Sequence, residues 1–78
     1  MEEVSTVVLE NGLEYMEMDK VLHEGITYIL LVNCKNFKDF CVRKIVSIDG
    51  QEYLCSVDNE IEYNKVLNLF VKKNKILF

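Results

Sequence analysis

One histidine (His23), three cysteines (Cys34, Cys41 and Cys55) and thirteen carboxylates are the groups of this 78-residue chain that could do chemistry. A Cys–His nucleophile pair needs an imidazole against a thiol, to take its proton. The spacing gives His23 no cysteine beside it and places it at a turn. A zinc site from His23 and the three cysteines would lack the paired short spacings such sites show. Glu14 and Glu17 fall on opposite faces of a strand and do not converge. Glu60 and Glu62 suit the positive start of a helix. The three glycines stand singly in turns, leaving no loop to cradle a phosphate. Lys72, Lys73 and Lys75, followed by Phe78, lie where lysines partner a helix dipole, and no aromatic stacking platform for single-stranded nucleic acid accompanies them. The sequence therefore predicts no enzyme, no cofactor, no metal site and no direct nucleic-acid binding.

Charge points the same way. The net charge is −4, and half of the residues are apolar. An acidic chain is repelled by phosphate backbones, and this balance belongs to a folded domain. The sign alternates: residues 1–33 carry −6, 34–48 carry +3, 49–64 carry −5 and 65–78 carry +4. Pairing between these blocks within the fold is the expectation. The opening "MEEVSTVVLE" has acids where a signal peptide has bases, and the apolar run Ile26–Val32 is far too short to span a membrane. A cytoplasmic protein with three free thiols is expected. The chain lacks Ala, Pro and Trp, and its lysines outnumber its single arginine eight to one. This is codon usage of an AT-rich bacterial or phage genome.

These residues must be positioned by one small domain, 1–78, with its core at about 4–73. "VSTVVLE" and "LEYMEM" flank Asn11-Gly12, a two-residue hairpin signal. With Glu10 opposite Leu13, Val7 faces Met16 and Val8 faces Tyr15. Val7, Leu9, Met16 and Met18 then form the core face, and Thr6, Val8, Glu10, Leu13, Tyr15 and Glu17 the outer one. "ITYILLVN" is apolar on both sides and should be central. "CKNFKD" is a polar connection. "FCVRKIVSI" and "QEYLCSV" flank Asp49-Gly50, a second hairpin that sets Ile48 opposite Gln51. Over Asp58–Lys73, Tyr63, Val66, Leu67, Phe70 and Val71 make a single helical stripe, with Asn59 as cap and Glu62 at the capping-box position. The order β-β-β-β-β-α predicts an α+β fold: a mostly antiparallel five-stranded sheet with one C-terminal helix packed on it.

Three stretches together resemble the YrzB-like domain of unknown function, a set of small acidic proteins of low-GC Gram-positive bacteria. They are "VVLENGLEYMEM", "EGITYILLVN" with Gly25, Tyr28 and Leu31, and "DGQEYLCSVDNEIEYNKVLNLF" with Asp49, Gly50, Leu54, Asp58, Glu60, Glu62 and Tyr63. The basic "CKNFKDFCVRK" departs from that pattern. The resemblance implies no catalytic residues.

A small cytosolic protein-interaction module is the functional expectation. The alternative is an acidic inhibitor, phage-encoded, that mimics nucleic acid and binds a basic nucleic-acid-binding protein. Tyr15, set between Leu13 and the acids Glu10 and Glu17, is the predicted binding surface for a basic protein partner, because an aromatic anchor in an acidic rim is hot-spot composition. One helix covers one side of a sheet, so a homodimer that pairs the other sides is also expected.

Overall fold

The computed structural model describes residues 6–75. Val4 and Ser5 of the predicted first strand, and Phe78, lie outside them. Five strands, β1 (Thr6–Val8), β2 (Glu14–His23), β3 (Ile26–Asn33), β4 (Asn36–Ile48) and β5 (Gln51–Ser56), form one antiparallel meander in chain order, followed by α1 (Glu60–Asn74). This is the α+β architecture that the sequence predicts, with β3 central. Among the described residues no helix is long and apolar enough to cross a membrane.

The β4–β5 hairpin has the predicted register, Ile48 opposite Gln51, Val46 opposite Tyr53 and Ile45 opposite Leu54. Asp49 and Gly50 both take positive φ, as a two-residue turn of this hand requires. The first hairpin differs. The Gly12 amide donates to the Leu9 carbonyl and the Leu9 amide to the Leu13 carbonyl, so the loop holds three residues, Glu10 to Gly12. Only Gly12 has positive φ here. Asn11 stays in the ordinary region because its side-chain oxygen accepts the Leu13 amide. The register therefore becomes Val7 opposite Tyr15 and Thr6 opposite Met16, one residue away from the predicted pairing. A one-residue slip exchanges the faces.

Two strands are also longer than predicted. β2 runs on to His23 past a bulge between Glu17 and Asp19, and β4 starts at Asn36, so the polar connection shrinks to Cys34 and Lys35. The bulge at Met18 inserts a residue and reverses the alternation.

Two apolar clusters lie on the two faces of the sheet. On one, Tyr28, Leu30 and Val42 pack with Val57 and with Val66 and Phe70 of the helix, joined by Tyr63 and Leu67. Asn59 caps this helix, accepting the Glu62 amide at 2.9 Å, and Asn64, Lys65, Asn68 and Lys72 face water as predicted. At its far end Asp19 takes Lys73 and Asn74, at 3.0 and 2.9 Å, and fastens the last turn to β2. On the second face Ile29 and Leu31 are buried without a helix: Tyr15, Val7 and Leu9 of the first hairpin fold over them. The apolar second face that motivates sheet-to-sheet pairing is thus covered at this end by the chain itself.

Candidate interaction surface

Glu10, Leu13, Tyr15 and Glu17 do not form an exposed anchor in an acidic rim. Tyr15 is only 3% exposed, because the one-residue register change turns it inward beside Val7. Its hydroxyl donates to Asp39 at 2.5 Å and accepts from the Asn11 amide at 3.1 Å. Asn33 also donates to Asp39. Tyr15 first, then Asn33, hold the Asp39 carboxyl below its ordinary value, and Asp39 in turn raises the Tyr15 phenol. Glu10 accepts from Arg43 at 2.6 Å, and its own backbone amide and Arg43 lower its carboxyl. Glu17 pairs with Lys20 at 3.5 Å, and Leu13 stays half-exposed.

Arg43 organises this end of the molecule, and sequence reasoning assigned it no role. From β4 it reaches Glu10 in the first hairpin and the Ser56 hydroxyl in β5, tying the hairpin down over Ile29 and Leu31. Its guanidinium also faces the Cys41 thiol, while Nε is buried without a hydrogen bond. Burial pushes the Cys41 thiol up, and Arg43 offsets this only in part, so the thiol stays protonated and weakly nucleophilic. Cys34, Cys41 and Cys55 are all free and partly buried. Among the described residues no three His, Cys, Asp or Glu side chains are grouped to hold a metal ion.

Among the described residues an open site lies on the other side, where the N-terminal half of α1 passes the β2–β3 turn. Two adjoining clefts of about 300 and 370 Å³ share His23, Glu24 and Lys65. Tyr28 and Glu62 form the floor of the first, with Ile26, Asn59 and Ile61 around it. Its position follows from local structure. The two-residue turn Glu24–Gly25 has positive φ at both residues and carries His23 and Glu24 to the rim. Asn59 starts the helix so that Ile61 falls in its first turn.

Glu62, at the capping-box position, does not reach back to Asn59. Its carboxylate accepts the Tyr28 hydroxyl. Burial, reinforced by that carboxylate, pushes the Tyr28 phenol up to about 12. The phenol is therefore a fixed neutral donor at physiological pH. His23 lies 3.9 Å from Glu24, at the rim. No thiol lines either cleft, and its carboxylate–phenol pair is occupied with itself. The arrangement suits binding: apolar Ile26 and Ile61, a fixed polar floor, and charges of both signs around it. Leu69, Asn68 and Lys72 continue it along the helix. The signal available in the sequence was Ile61, an apolar residue outside the helix stripe. Compared with protein families, curated proteins and solved structures, the chain gives no match.

Proposed function

We propose that this protein is a small cytosolic protein-interaction module that seats an apolar side chain of its partner in the cleft between α1 and the β2–β3 turn. Ile61 carries this reading. It is 70% exposed on the cleft rim, at the second position of the helix. The positive helix start favours an acid there, and Glu60 and Glu62 on either side follow that rule. An isoleucine left 70% exposed at this position contributes little to folding, whereas a binding site would use it. Supporting the module over a nucleic-acid mimic, Glu10, Glu17 and Asp19 have cationic partners and do not make a bare acidic face. The YrzB-like resemblance assigns no site, so the proposal rests on this geometry.

Ile61→Glu tests it without harming the fold, because the new carboxylate complements the helix dipole. Capture from a lysate of the native host should retain a protein with wild type and lose it with Ile61→Glu, while circular dichroism and melting stay unchanged. Identical captured sets for the two proteins would place the function elsewhere.

A further inference from the structure

β5 is an outer strand, paired with β4 on one side only. Because Asp49–Gly50 makes Ile48 and Gln51 a hydrogen-bonded pair, Gln51, Tyr53 and Cys55 direct their amides and carbonyls at β4. Glu52, Leu54 and Ser56 direct theirs outward. Among the described residues no other backbone hydrogen bond reaches those three. Proteins usually blunt such an edge with proline, lysine, a bulge or a very short strand. β5 has none of these: it is six residues long, its register is unbroken, and its one ionised side chain is Glu52. The opposite edge, β1, has three residues.

We propose that β5 pairs with β5 of a second copy, antiparallel about a twofold axis at Leu54, giving a dimer with one continuous ten-stranded sheet. The strand is complementary to itself in this register alone among its neighbours. Leu54 meets Leu54 of the second copy, and Glu52 meets Ser56 of the second copy, so each outward amide and carbonyl finds a partner and no like charges oppose. The rows of side chains also match. Leu22, Thr27, Ile45 and Leu54 form a transverse row over β2 to β5, with Leu22 71% and Leu54 39% exposed. The twofold axis joins this row to its copy. The next row carries Lys20, Ile29, Arg43 and Ser56, and it continues into Glu52 of the second copy, opposite in charge to its lysine and arginine. On the other face Tyr53, half-exposed, meets Cys55 of the second copy. The contact is isologous and closes at two. It leaves both helix clefts free, so the dimer presents two of them to a partner, and avidity follows if that partner is itself paired. This inference is independent of what the clefts bind.

Sedimentation equilibrium of wild type, Leu54→Lys and Leu54→Glu tests it. Wild type should sediment at twice the chain mass. Each variant alone places like charges against each other at the axis and should raise the dimer Kd by about tenfold or more. An equimolar mixture of the two should restore dimer, because position 54 meets itself with opposite charges. That restoration also proves both variants folded. A wild type monomeric up to millimolar concentration overturns the proposal. So does a dimer indifferent to both variants, or a mixture that stays monomeric.

Discussion

At the scale of single residues, the hydroxyl of Tyr15 does most to explain how a surface expected to bind a partner became interior. Its ring covers Ile29 and Leu31, and its hydroxyl is accommodated because Asp39 of β4 accepts from it and Asn11 of the first loop donates to it, with Asn33 of β3 donating to the same Asp39 carboxylate. A buried phenol needs such a partner. The pairing fixes a pH response. Asp39 is lowered in the folded state, so it contributes stability above the ordinary carboxylate value, and that contribution is lost as pH falls through the folded value. Tyr15→Phe removes the larger of the two hydrogen bonds. In this variant the Asp39 carboxyl should titrate closer to its ordinary 3.8, as followed by NMR, with a shallower acid loss of stability. An unchanged Asp39 titration would mean that Tyr15 does not hold it.

At the scale of elements, α1 is the lid of one face, and its energetics follow from the buried Phe70 and from its C-terminal end. Phe70 is fully buried, and Phe70→Ala should cost ~3–5 kcal/mol in denaturant unfolding. A variant that melts like wild type would contradict the packing. The C-terminal end has room for improvement. Lys75 takes the left-handed conformation at φ 53°, its amide donating to the Val71 carbonyl, a position where a Cβ is penalised and glycine is not. Lys75→Gly should therefore stabilise by about 1 kcal/mol. A destabilised variant would show that the lysine side chain contributes more than its backbone costs.

The same elements show what sequence periodicity can and cannot reach. The helix was legible because its stripe repeats over four turns, and the β4–β5 hairpin because Asp49-Gly50 permits one tight turn. Asn11-Gly12 carries the same signal and misleads. The Asn11 side chain accepts the Leu13 amide and so allows a three-residue loop, which lets Tyr15 and Val7 turn inward together. Alternation alone does not distinguish the two loops, since each leaves an apolar residue on either face. The far half of β2 was illegible for another reason: the bulge at Met18 resets the period, and Asp19 then faces the helix as an anchor for Lys73 and Asn74. Nor does a pattern along one strand disclose the cleft, whose walls come from β2, β3 and α1 together.

At the scale of the whole molecule, opposite charges distant in sequence fasten the layers. Glu10 meets Arg43 across the sheet, and Asp19 meets Lys73 between sheet and helix, pairing the acidic first third of the chain with its two basic blocks. The carboxyls concerned share a direction. Burial opposes ionisation of Asp19, yet bonds from Asn74, Lys73 and the Lys20 amide outweigh it and lower its pKa; Glu10 and Asp39 are lowered as well. Three lowered carboxyls contribute stability that is complete above their ordinary values of 3.8 and 4.5 and lost on acidification below them. The alkaline limb has the opposite origin. The Tyr28 phenol ionises at 10.0 in the unfolded chain but at about 12 in the fold, so the unfolded state gives up its proton first and stability falls as pH rises through that window. Urea unfolding measured against pH should thus give a plateau between these limits and a decline on each side. Tyr28→Phe should lower the plateau, since Glu62 loses its donor, and should make the alkaline decline shallower by the part Tyr28 carries, the raised Tyr15 and Tyr63 phenols keeping the rest. Parallel alkaline slopes for the variant and wild type would assign that limb to the Tyr15 and Tyr63 phenols, which are also raised, and with it remove Tyr28 as the fixed neutral floor of the cleft.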